Sequence, residues 1–183
     1  LIKLNNNILT KKIQEFINSN LKSDLTKLIL KGSPFENISI QEIAEQILAK
    51  SKCEKKLPTW FSCKNIYYPN KLNIEQTSSE VTAKYKSNLV SGNSIIDITG
   101  GFGVDALYFS QKVNFVTHCE INNELSQIVS HNLEQLNVTN IKTQINDGIE
   151  FLKKSKEKSK ENIKTAVYTD GGCSANGKKH ASN

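Results

Sequence analysis

The chain has 183 residues, 37% of them hydrophobic, with 24 Lys against 18 acidic residues and a formal net charge of +6. No apolar run approaches the roughly 18 residues that cross a bilayer, so a soluble protein with no membrane segment is expected. Its four cysteines (Cys53, Cys63, Cys119 and Cys173) include no C-x-x-C pair, which argues against a zinc site and points to a reduced cytoplasmic setting with no metal.

The first residue is Leu1 and Met is absent, so a missing or processed amino terminus is expected. Residues 1–90 hold fourteen Lys and eight acids, and residues 91–183 hold ten of each. A basic first half suits an acidic partner such as RNA. All 24 cations are Lys, however, so bidentate guanidinium contacts to phosphate or guanine are excluded and point charges must serve. Plain bias toward Lys and Asn accounts for the same excess.

Three amphipathic helices are predicted in residues 1–52, and their apolar faces need one another. Thr10 caps a helix carrying Ile13, Phe16 and Ile17. Ser23 caps one carrying Leu25, Leu28 and Ile29, which stops at Gly32-Ser33-Pro34. Ser39-x-x-Glu42 is a capping box ahead of Ile43, Ala44, Ile47 and Leu48. Residues 53–76 read as a connector, with the only Trp and a Tyr-Tyr-Pro run. Its aromatics either stack on a base or pack the connector onto the domain it leads into. Thr77-x-x-Glu80 is a second capping box, opening a helix that runs to about Leu89. Gln76, Thr77 and Ser78 then stand just ahead of the next strand.

That strand, Ser94 to Ile98, meets a helix beginning at Val104 through a turn with Gly at 100, 101 and 103. Glycine there lets the backbone bend sharply and approach a ligand with no Cβ in the way. A second strand, Lys112 to Cys119, ends in Glu120, seventeen residues after Gly103. In a doubly wound sheet an acid at that point reaches the ribose of a ligand lying over the first turn. A helix from Asn123 to Leu136 and a strand Ile141 to Ile145 come next, closing on Asn146-Asp147-Gly148. Plainer roles stand beside these: Glu120 as cap of the helix from Asn123, and Asp147 as N-cap of a helix over Ile149 to Lys154. Thr165 to Asp170 supplies a fourth strand after a Lys-rich linker.

The spacing Asp97-x-x-x-Gly101-x-Gly103 is similar to the first motif of S-adenosylmethionine-dependent methyltransferases. In order, LPTWF, IYYP, LNIEQTSSEVTAKYKS and IIDITGGFGVD resemble bacterial class I methyltransferases with a helical amino-terminal region and a carboxyl-terminal THUMP-like domain. The match covers about Leu57 to Asp170 and extends, more distantly, to RNA cap trimethylguanosine synthases. It implies an α/β Rossmann-like parallel sheet, apparently truncated after the fourth strand, preceded by a small helical domain. The divisions expected are helical 1–52, connector 53–76, an incomplete cofactor domain 77–170 and an atypical tail 171–183. It also implies S-adenosylmethionine as cofactor, held by Gln76, Thr77, Ser78, Asp97, Thr99, Gly100, Gly101, Gly103, Glu120, Ile121, Asp147 and Gly148. RNA is the implied substrate, methylated on a base nitrogen in the full-length form, with Asp170 as the catalytic residue. The family's proline after that acid is absent here, where Gly171-Gly172-Cys173 follows. YTDGGCSANG also looks like the opening strand of ribonuclease H enzymes, but no acid follows Asp170 to complete a paired-metal site. A non-catalytic Rossmann-like remnant that binds RNA or protein is the alternative.

Overall fold

A computed structural model describes residues 4–158 and 165–168. Its centre is a sheet of four parallel strands, β1 (Ser94–Asp97), β2 (Phe115–Glu120), β3 (Ile141–Ile145) and β4 (Thr165–Tyr168), in the order β3-β2-β1-β4. Register sets Ile95 of β1 against Val116 of β2 on one side and Ala166 of β4 on the other. Being central, β1 is buried on both faces, which its unbroken Ile95-Ile96 pair suits.

Helices α7 (Val104–Ser110), α8 (Asn123–Gln135) and α9 (Gly148–Lys158) make the crossovers. The chain steps outward from β1 to β2 to β3 and then returns to the far side of β1. That reversal opens a crevice at the carboxyl ends of the strands, where ligands bind in such sheets. The expected Rossmann-like α/β fold is therefore present, with helices ahead of it.

Those helices are α1 (Lys11–Ser19), α2 (Leu25–Lys31), α3 (Ile40–Lys56), α4 (Pro58–Ser62), α5 (Lys71–Gln76) and α6 (Glu80–Ser87). The Ser39–Glu42 capping box forms at α3. At α2 the cap is Asp24 and not Ser23, because its carboxylate accepts from the N–H groups of Thr26 and Lys27. At α6 the cap is Ser79, whose hydroxyl accepts from Thr82 N–H, while Thr77 ends α5. Glu80 is thereby released for a tertiary role. Buried at 8% exposure, it accepts from Thr59 N–H (2.6 Å), Thr59 Oγ1 (2.8 Å) and the Tyr108 hydroxyl (2.9 Å), tying α4, α6 and α7 together.

One apolar cluster runs from Ile8, Ile43 and Ile47 through Trp60 to Phe102 in the glycine turn and Ile128, Val129 and Leu133 on α8. The connector aromatics belong to it. Trp60 is buried against Phe102 with centroids 6.0 Å apart, and Tyr67 and Tyr68 are buried as well, so packing and not base stacking is the role of these three. The extended strip they occupy lies between two helices and still satisfies its backbone. Gln46 of α3 bonds both N–H and C=O of Tyr68 (3.0 and 2.6 Å), and Asn132 of α8 does the same for Tyr67 (2.9 Å each). Side-chain amides there replace the missing strand neighbours.

Candidate cofactor site

Asp97 ends β1 at 1% exposure, and its Oδ1 accepts the Thr99 N–H at 3.1 Å. The next amide, Gly100, donates to the Cys119 carbonyl at 2.8 Å, so the turn hangs from the end of β2. A Cβ on Gly100 would overlap the imidazole of His118 directly. At Gly101 φ is +53° and the N–H donates to Glu120 Oε2 at 2.9 Å, while Oε1 of the same carboxylate accepts from Asn122 N–H at 2.7 Å. Glu120 thus holds both the turn and the approach to α8. Each carboxylate oxygen has a second lone pair to offer.

Two cavities meet along this turn and share Thr99 and Gly101. The larger, about 450 Å³, has Ile98, Ile121 and Ile149 as apolar walls and Glu120 and Asp147 at its polar edge. Ile121 and Ile149 are 71% and 57% exposed and present apolar side chains to the mouth of this cavity. The smaller, about 170 Å³, is lined by Asn73, Gln76, Thr77, Phe102 and Asp105 beside Gly100 and Gly101.

Asp147 does cap α9, its Oδ1 accepting from Ile149 N–H (2.8 Å) and Glu150 N–H (3.0 Å). It also lines the larger cavity, so the two roles coexist. The Cys119 thiol, in the same lining, is pushed up to about 11 by burial and then by the negative charges of Asp97 and Asp147. Both carboxylates therefore act on one spot, and that thiol is no nucleophile.

Of the residues singled out from the sequence, Thr99, Gly101, Glu120, Ile121, Asp147 and Gly148 line the larger cavity, and Gln76, Thr77 and Gly100 the smaller. Asp97 sits behind Thr99, and Gly103 (φ +78°) caps α7 against Val129. Ser78 lines neither cavity itself but bonds Asp105, which lines the smaller one. Its hydroxyl bonds Asp105 Oδ2 (3.0 Å) and receives from Lys86 Nζ (2.8 Å), and Lys86 pairs with Asp105 at 3.0 Å. Asp170 and the tail after it lie outside the described residues. Sequence reasoning missed His118, Ile98 and Ile149. His118 is wholly buried under Gly100, and burial pushes its pKa down, so the ring is neutral.

A crystal structure described as a "putative methyltransferase from Porphyromonas gingivalis W83" matches this chain at 26% identity with a TM-score of 0.66. The match takes in 86% of this chain and 39% of that one. The fold is methyltransferase-like. Further methyltransferase structures match more weakly. An rRNA methylase from Streptococcus thermophilus has 15% identity and a TM-score of 0.39 over 50% of this chain and 53% of its own. Trm5b from Pyrococcus abyssi has 19% identity and a TM-score of 0.37 over 40% and 23%. No family model and no curated protein matches the chain. The chain spans 39% of the length of the Porphyromonas protein. Among the described residues no helix is long and apolar enough to cross a membrane, and no group of three or more His, Cys, Asp or Glu is placed to hold a metal ion.

Proposed function

We propose that this chain binds S-adenosylmethionine across Gly101 and that its protein transfers the methyl group to RNA. The observation that carries the reading is the pair of cavities meeting on a glycine ridge, one apolar with two carboxylates at its edge, the other small and mixed, with Gln76, Thr77 and Asp105 beside Phe102 and Val104. The residues fit the ligand. Ile121 and Ile149 suit the faces of an adenine, Glu120 keeps lone pairs for ribose hydroxyls, and Asp147 Oδ2, with no hydrogen bond among the described residues, suits the adenine amino group. Gln76, Thr77 and Asp105 suit the methionyl end, and the surrounding negative charge suits a sulfonium. When bound, S-adenosylmethionine supplies an electrophilic methyl for in-line displacement by a nucleophile. The protein's part is to hold both groups in line and exclude water. We assign the acceptor-side role to Asp170, and RNA as acceptor rests on the Lys excess of the first half together with the family resemblance.

Calorimetric titration with S-adenosylhomocysteine tests the cofactor reading. Wild type is expected to bind and Glu120→Ala to bind roughly tenfold or more weakly, about 1.4 kcal/mol for one lost charged hydrogen bond. No binding by folded wild type overturns it. Radiolabelled methyl transfer to total RNA, protein and small molecules tests the acceptor. Label only in protein or small molecules would remove RNA as the acceptor, and cofactor binding with label in none of the three would favour a binding protein.

A further inference from the structure

A third cavity, about 650 Å³, lies in the helical half between α1, α3 and α4, and shares no lining residue with the two at the glycine turn. Its volume is in the range of small-molecule sites, roughly 300–1,000 Å³. Lys50 of α3 lines it and is only 6% exposed. The ammonium has no carboxylate and no hydrogen-bond acceptor among the described residues. It lies instead 5.7 Å from the ring centroid of Phe61 and 5.8 Å from that of Tyr68.

Most of the Lys50 side chain is buried while its ammonium opens onto the cavity with no counter-charge beside it, and a partly desolvated charge of this kind favours an anion there. The neighbouring thiols do not supply one, because burial raises the pKa of both Cys53 and Cys63 and leaves them neutral. Lys11 and Lys64 stand at the rim, and the single acid in the lining, Glu15, is 3.9 Å from Lys11. The cavity therefore presents excess positive charge at its floor and mouth. Its wall is Phe61, a half-buried ring, and Asn18 adds an amide edge. A small carboxylate would answer the charge but leave the ring face and most of the volume bare. A phosphate carrying a flat heterocycle answers both.

We propose that this cavity binds a nucleotide, with its phosphate on Lys50 and its base against Phe61. The nucleotide is either free or one unit of an RNA strand, and only the second source rests on the RNA reading above.

Titration of the full chain with a nucleoside monophosphate, inorganic phosphate and a short single-stranded oligoribonucleotide tests this, with S-adenosylhomocysteine titrated on the same samples. Wild type is expected to bind the monophosphate with a Kd of about 0.1–1 mM. Lys50→Met, which keeps the apolar stem, is expected to weaken it about tenfold or more while leaving S-adenosylhomocysteine affinity unchanged. The exposed double variant Lys11→Ala/Lys64→Ala, which leaves the core intact, is expected to weaken it about threefold. An oligoribonucleotide at least about tenfold tighter than the monophosphate assigns the source to RNA, and equal affinity assigns it to free nucleotide. The proposal is overturned if folded Lys50→Met binds the monophosphate as wild type does, if wild type does not bind it, or if inorganic phosphate binds equally well. Loss of S-adenosylhomocysteine binding alone would instead strike the cofactor reading.

Discussion

The glycine-turn groove and the Lys50 cavity handle charge in opposite ways. Around the turn, Asp97, Glu120 and Asp147 each already accept backbone N–H groups, so their positions are fixed by the fold itself. In the helical half, Lys50 has aromatic faces for company and nothing to accept its protons among the described residues. The first arrangement makes binding residues into structural residues. The second leaves a charge whose compensation must come from outside. Damage at the turn should therefore cost stability and affinity together, whereas damage at Lys50 should cost affinity alone.

The largest effect is expected from Gly100→Ala, where a methyl would have to displace the buried His118 ring of β2 from its packed position under the turn. We expect a loss of about 3 kcal/mol or more, read as a drop in the urea midpoint or as insoluble expression. Wild-type stability in that variant would break the account of the turn. Next, Glu120→Ala strips acceptors from the N–H groups of Gly101 and Asn122 and should cost about 1–3 kcal/mol, seen in the same denaturation. Lys50→Met, by contrast, removes a desolvated charge and should leave the midpoint unchanged or raise it. If the two variants shifted stability alike, the contrast between the regions would fail.

The smallest effect concerns His118. Its folded pKa is lowered from 6.5 by burial, so below that value the unfolded chain takes up a proton that the folded chain refuses. Stability should be unaffected above about pH 6.5 and fall as the pH drops through it, levelling off only below the folded pKa. Comparing urea midpoints at about pH 7.5 and 5.5 for wild type and His118→Leu measures the contribution, since the variant should show a shallower fall.

Much of this was written in local pattern. The apolar Ile95-Ile96 pair marked a strand because its burial follows from the side chains themselves, and β3 was marked by β-branched Ile141, Thr143 and Ile145 at alternate positions, although none of its residues is buried. The acids and glycines at the groove were legible from their order at successive strand ends. Less legible were features made by distant partners. Thr77, Ser78 and Ser79 offer three equivalent hydroxyls, and only the pull of Thr59 and Tyr108 on Glu80 settles the cap at Ser79. Lys50 falls within an ordinary charged helix, and its burial comes from α4 folding back over α3. The clamps by Gln46 and Asn132 leave no trace in sequence, because an amide looks the same whether it meets water or a peptide.

The Gly101–Glu120 bond has a consequence for assembly. It joins positions 19 apart, so an excised peptide holding only the bend and its flanking segments would lack what keeps the loop in shape. Nucleation must bring the second strand alongside the first before any cradle exists, a long-range closure that is slow compared with helix formation. Affinity for an adenosyl compound would then appear late during refolding, in step with pairing of the two inner strands and after the helices have formed.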